Sequence, residues 1–206
     1  MIIKLPLTLD SRPTLCQTSS MLMKNFIFAT ILSLASCIVI ADEIKPVDNF
    51  NIARYLGKWH EIARLDHSFE RGMSNVSAEY SMRDDGGLKV LNRGLKKNNQ
   101  WKDAEGKAYF VGAENKGHLK VSFFWPFYSS YIVFELGNNY QYAFVTSDSK
   151  SYLWLLSRTP CVANSLKEHF EKKIGSLGFD KTELIYVDNS CDNLKTFSTK
   201  AENLNE

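Results

Sequence analysis

The stretch "RYLGKWHEIAR", residues 54–64, sets a glycine two positions before a tryptophan inside a run that otherwise reads as a β-strand. Glycine weakens a strand interior, and tryptophan needs a broad partner for its ring and an acceptor for its indole N–H. A strand that carries both marks a place where the backbone does something unusual beneath a large aromatic group. The chain around it decides what that is.

Beyond residue 48 the periodicity is two. "VSAEYSMR" puts Val76, Ala78, Tyr80 and Met82 on one face and Ser77, Glu79, Ser81 and Arg83 on the other, the pattern of a strand with one dry and one wet side. "DDGG" at 84–87 then supplies the residues a tight hairpin needs, and "LKVLNRG" begins the next strand. The runs "AEGKAYFVG", "HLKVSFF", "YIVFELG", "YQYAFVTS" and "YLWLLSR" follow, so that with "YLGKWHEIARL" there are eight. Short turn-like separators and no intervening helix mean that successive strands pair antiparallel. The fold class is all-β: an eight-stranded antiparallel up-and-down barrel, whose interior is just wide enough for one small ligand.

After the eighth strand the period changes to 3.6. "NSLKEHFEKKIGSLG", 164–178, carries Leu166, Phe170, Ile174 and Leu177 on one stripe, opens with a capping box from Ser165 to Glu168 and stops at Gly178. "TELIYVD" reads as a short ninth strand, and residues 191–206 form a polar tail. The barrel domain therefore spans 48–190.

Residues 21–41 read as a signal peptide, with Lys24 ahead of the apolar run "NFIFATILSLASCIVIA" and polar residues directly after it. Residues 1–20 lie upstream of a better start at Met21 or Met23. "LASC" has the form of a lipobox, which makes Cys37 the acylated N-terminus of a lipoprotein held at the outer membrane through a lipid anchor. The competing cut follows Ala41 and gives a soluble periplasmic protein.

With 25 basic and 23 acidic residues the net charge is only +2, and there is no basic stripe for nucleic acid. Neither a nucleophile elbow nor a phosphate-cradling glycine loop is present, and His60, His67, His118 and His169 fall on separate elements without metal-ligand spacing. The sequence therefore implies no catalytic residue, no metal and no cofactor.

These residues resemble the lipocalins, and within them the bacterial outer-membrane lipocalins, relatives of apolipoprotein D and the plant temperature-induced lipocalins. The resemblance covers about 48–188 and rests on Asn49-Phe50, "YLGKWHEI", "DHSFERG", "DDGG", "EGKAYF", "LKVSFFWPFY" and "YLWLLSRTP" in that order. It implies that Trp59 lies across the closed floor of the barrel with Arg158 packed on it, and that Gly57 makes room for the arginine. His60 stands where the family usually has tyrosine, and "NNYQYAFV" matches the family's middle signature weakly.

If the first strand leaves the closed floor, the odd-numbered connections surround the mouth. "DHSFERGM" is then connection one and "FWPFYSS" connection five, which brings Phe69, Arg71, Trp125, Phe127 and Tyr128, with Phe124, to the entrance as a binding surface, unless Pro126 folds the rings onto the rim. Asp66, His67, Glu70 and Arg71 are the one ionisable cluster, read as a salt-bridged loop whose Arg71 meets a lipid phosphate. The pleat nominates Tyr80, Met82, Val90, Phe110, Phe123, Tyr131, Tyr142 and Trp154 as the ligand-binding wall. The resemblance implies a lysophospholipid or fatty acid as partner, stored or transported for membrane maintenance under stress; a lipocalin-fold enzyme or a tetrapyrrole-handling protein is the alternative, and a homodimer is an admissible assembly.

Cys161 and Cys191 flank the helix and the ninth strand. About 14 helical residues climb roughly 21 Å and about 7 strand residues descend roughly 23 Å, which returns both cysteines to one end and predicts a disulfide in an exported protein.

Overall fold

The alternating runs become the staves of a closed barrel in the computed structural model, which describes residues 44–191. The readings made for 1–20, for the signal with Cys37 and for the tail from 192 onward lie outside the described residues. A single helical turn, α1 (Ile52–Tyr55), precedes β1 (Gly57–Arg64). Then come β2 (Ser74–Met82), β3 (Leu88–Leu95), β4 (Trp101–Phe110), β5 (His118–Phe124), β6 (Phe127–Leu136), β7 (Tyr142–Thr146) and β8 (Leu153–Ser157). The helix α2 (Asn164–Ser176), a 3-10 turn (Lys181–Glu183) and the two-residue β9 (Ile185–Tyr186) complete the domain. Every consecutive pair from β1 to β8 is antiparallel, and β1 also pairs with β8, which closes the ring. All eight strand runs of the sequence are there.

The turn at 84–87 shows how local chemistry sets register. Gly86 takes φ +79°, Gly87 N–H donates to Asp85 Oδ1 at 3.0 Å, and Arg83 grips the same carboxylate. With this corner fixed, Met82 faces Leu88 and Tyr80 faces Val90.

Apolar residues divide into two layers. One fills the barrel: Trp59, Tyr80, Val90, Leu119, Val133, Val145 and Leu156 are among its buried members. The other lies outside the wall, where Ile62, Ile132, Phe134, Phe144, Leu153 and Leu155 receive Phe170 and Ile174 of α2 and Leu177 at its C-cap. Strands β6–β8 are therefore covered on both faces, which is why "YIVFELG" and "YLWLLSR" read as nearly continuous apolar runs. The α2 stripe is the expected one, but the capping box is not formed: Ala163 is the N-cap and makes no side-chain cap bond. Gly178, at φ +81°, ends the helix as expected.

Two departures from strict pairing shape β1. A bulge between Glu61 and Ala63 changes the alternation, so that Trp59, Glu61 and Arg64 all turn toward the interior while Ile62 and Ala63 face outward. Moreover, β1 pairs with β2 only from Gly57 to His60; above that, Ala63 and Arg64 pair with Tyr186 and Ile185 of β9. The segment around β9 stitches this seam. Val187 N–H donates to the Ile62 carbonyl at 2.9 Å, Asn75 N–H to the Asp188 carbonyl at 2.8 Å, and Asn189 Nδ2 to the Glu61 carbonyl at 2.8 Å. Just beyond it, Cys161 and Cys191 are joined in the expected disulfide, Cα–Cα 5.7 Å.

Candidate functional site

The site begins at the floor. Trp59 is fully buried, and the Arg158 guanidinium lies over its ring with Cζ 3.8 Å from the centroid. The same guanidinium donates to the carbonyls of Lys58 (2.9 Å), Arg54 (2.7 Å) and Tyr140 (3.3 Å), tying α1, β1 and the β6–β7 turn together. The Tyr55 ring lies tilted against Trp59, centroids 4.7 Å apart, and the indole N–H donates to the Tyr55 carbonyl. Gly57 is there for a different reason from the one expected: a Cβ would meet Arg158 Nη1 at 3.7 Å, an ordinary contact, so space is not the constraint. Its φ of +87° is, a conformation costly for any L side chain. The glycine two residues before the tryptophan is thus a backbone hinge, from which β1 leaves the floor.

Above the floor, Tyr80, Val90, Phe110, Phe123, Tyr131 and Trp154 all belong to the inner layer. Phe123 lies against Gly106, where any Cβ would stand 2.8 Å from its ring. Tyr131 links the hydroxyls of Tyr55 (2.7 Å) and Tyr80 (2.8 Å), and burial raises all three phenols so that they stay neutral. These tyrosines, with Leu88, Ala108, Leu119 and Val121, surround a cavity of about 10 Å³, room for one water.

Two of the nominated wall residues are elsewhere. Tyr142 lies on the outer face, its hydroxyl donating to Glu135 Oε1 and its ring beside Phe144 and His169. On β7 the small Ala143 and the Val145 point inward, because the larger Tyr142 and Phe144 are needed under α2. Met82 keeps the inward parity of β2 but sits at the floor end, 51 % exposed, beyond the part of the strand that has a barrel around it.

The upper half of the barrel holds what the sequence did not show. Arg64, 1 % exposed, donates through Nη1 to Glu61 Oε1 at 2.5 Å and through Nη2 to the Glu70 carbonyl at 2.9 Å. His67 and Glu70 of the first connection are buried as well, with His67 Nε2 3.2 Å from Glu70 Oε2 and the imidazole stacked on Phe69 at 4.0 Å. Tyr152 and Trp154 stack on each other alongside. The expected four-residue loop cluster is thus two pairs: His67–Glu70 inside, and Asp66–Arg71 outside, a fork with both members exposed. Arg64 was hidden in the sequence because strict alternation turns it outward, and only the bulge after Glu61 reverses that; Glu61 keeps the inward parity of Trp59.

Burial raises the carboxyls of Glu61 and Glu70, and their proximity raises Glu61 further. Burial and then the Arg64 charge lower His67 to about 4. His67 is therefore neutral in the folded protein but titrates near 6.5 when unfolded. Its contribution to stability is complete above pH 6.5 and is lost as the pH falls from 6.5 through about 4. Chemical denaturation across that range is expected to show His67→Gln gaining on the wild type as the pH falls; parallel curves would mean that His67 titrates normally.

The odd-numbered connections do gather at one end. In the tight β5–β6 hairpin, with its cis Trp125–Pro126 peptide, Phe124 faces Phe127. Phe124, Trp125 and Phe127 are 80 %, 76 % and 76 % exposed, so they are not folded onto the rim. Tyr128 and Phe69 are partly covered, Tyr128 by Tyr109 and Phe69 by His67. Lys102 reaches across from β4 to the Phe69 carbonyl at 3.3 Å.

A barrel closed at one end by an arginine–tryptophan stack, lined with aromatic side chains and ringed by loops at the other end has the architecture of a small-ligand-binding calyx. The lipocalin-like domain family matches residues 50–189, and the chain belongs to it. It is 53 % identical over 164 residues to outer membrane lipoprotein Blc of Vibrio cholerae, covering 79 % of this chain and 96 % of that one. With outer membrane lipoprotein Blc of Escherichia coli K12 it shares 49 % over 145 residues, 70 % of this chain and 82 % of the relative. Among solved structures, insecticyanin of the tobacco hornworm Manduca sexta superposes with a TM-score of 0.56 at 20 % identity over 72 % of this chain and 85 % of that one, a likeness of fold.

Proposed function

We propose that the barrel binds one single-chain amphiphile, a lysophospholipid or fatty acid, tail toward the floor and head toward the mouth. It does so in the bacterial envelope, as a carrier or store that helps maintain the membrane under stress and not as an enzyme. The observation that carries this reading is the inner wall of Tyr80, Val90, Phe110, Phe123, Tyr131 and Trp154. Such a wall desolvates methylenes at about 0.8 kcal/mol each, so roughly ten of them give a gross gain near 8 kcal/mol before the ordering of the chain is subtracted. An eight-stranded interior takes one acyl chain more readily than two. Two relatives bearing the name outer membrane lipoprotein support an outer-membrane location, held through an acylated Cys37. An acyl chain needs far more than about 10 Å³, so its entry requires the side chains that fill the barrel, the buried His67 and Glu70 of the first connection among them, to move aside.

Phe123→Asp puts a charge in the middle of the wall and is expected to weaken lysophospholipid binding at least 100-fold, read by tryptophan-fluorescence titration. Unchanged affinity in a variant that still melts cooperatively would place the ligand outside the barrel. A Soret band on the purified protein would instead indicate a tetrapyrrole.

A further inference from the structure

A guanidinium inside a barrel with so much apolar wall is an expensive choice. A buried ion pair is commonly matched or bettered in stability by apolar residues of similar volume, so packing alone does not explain Arg64. Nor is Arg64 fully used. Its Nε is buried with no hydrogen-bond partner, and its hold on the first connection is through the Glu70 main-chain carbonyl. The groups that cover it are equally incomplete: both His67 ring nitrogens and Glu70 Oε2 are buried without a hydrogen bond, although His67 Nε2 and Glu70 Oε2 are within ion-pair distance. Lys102, a second cation, meets the same loop at Phe69. Below them lies the apolar wall with its cavity.

Resting on the reading of the barrel as an amphiphile binder, we propose that Arg64 is an internal receptor for an acidic headgroup, a carboxylate or a phosphate monoester. Glu70 and His67 occupy the receptor as a stand-in that the headgroup displaces. An anionic oxygen pair offers the guanidinium a charge-assisted, two-point contact that a main-chain carbonyl cannot match. The loop that leaves is the one that buries His67 and Glu70 beside Arg64, so headgroup capture and the release of space in the upper barrel are one event. Neutral amphiphiles of the same chain length have nothing to exchange for the stand-in and bind poorly. Arg71, already paired with Asp66 at the surface, has no part in this.

The test compares palmitic acid, 1-palmitoyl lysophosphatidic acid and hexadecanol, each below its critical micelle concentration, on the full-length protein by tryptophan fluorescence. The wild type is expected to bind at least one of the acids 10-fold or more tightly than the alcohol, and the ratio between the two acids tells carboxylate from phosphate. Arg64→Met should bring that acid down to the alcohol's affinity while leaving the alcohol unchanged. Glu70→Gln, which weakens the His67–Glu70 contact that packs the loop over Arg64 and leaves the receptor itself untouched, should tighten acid binding several-fold; it keeps the test sharp if the methionine variant does not fold. Equal affinity for acids and alcohol in the wild type, or loss of both kinds of ligand in a folded Arg64→Met, overturns the receptor while leaving an amphiphile binder. Binding of none of the three by folded wild type overturns that reading and the receptor with it.

Discussion

Trp59→Ala lowers the free energy of unfolding by about 3–5 kcal/mol, the range for removing a buried large aromatic side chain. The ring sits at the meeting point of three devices: the Arg158 stack, the contact with Tyr55 and the indole bond to the Tyr55 carbonyl. Its loss leaves Arg158 over an empty floor and removes one of the ties between α1 and the barrel. Set against a typical domain stability of about 5–15 kcal/mol, the change brings the protein close to unfolding, so any fall in ligand affinity is secondary to it. Urea denaturation reads the effect as a lower midpoint at unchanged slope. A loss below about 1 kcal/mol would mean that the floor is held by other contacts and the stack is incidental.

Replacing Cys161 and Cys191 together by serine is expected to remove about 3–4 kcal/mol, from the entropy regained by an unfolded chain no longer looped across 30 residues. The loop contains α2, the 3-10 turn and β9, so the bond limits how far the whole outer layer strays from the wall. Denaturation with and without a thiol reductant measures it directly. Identical midpoints under the two conditions, with the bond shown intact beforehand by peptide mapping, would show that the cross-link constrains little.

Much of this architecture was legible because its causes are local. Val76 to Met82 alternate since one side of β2 is wet; the hairpin at 84–87 is written in its aspartates and glycines; and Leu166, Phe170, Ile174 and Leu177 fall on one stripe of a helix. Connection parity then sorted floor from mouth, and simple rise-per-residue arithmetic brought the two cysteines to one end. What could not be read has causes that are not local. Tyr142 faces outward because its ring packs beside His169 of α2, and a strand dry on both sides carries no alternation to say so. Helix α1 is one turn long, too short for any period to show. Arg64 enters the barrel only through the bulge between Glu61 and Ala63, and nothing in the order of those residues announces it. At Gly57 the oddity of the residue is visible in the sequence, but its cause is a dihedral angle and not crowding.

The short β9 and the residues after it do more than finish the chain. Where β1 and β2 part company above His60, each would present unpaired main-chain groups, an open template onto which a strand of another molecule could add. Val187, Asp188 and Asn189 satisfy those groups from within the same chain. The tether that keeps them there is the bond at Cys191. Reduction therefore has a second consequence beyond lost stability: it uncovers two adjacent sticky borders at once, and the natural outcome of concentrated, reduced protein is strand-to-strand association between barrels. On the proposed export from a reducing to an oxidising compartment, forming this cross-link is also the step that makes the barrel safe to accumulate.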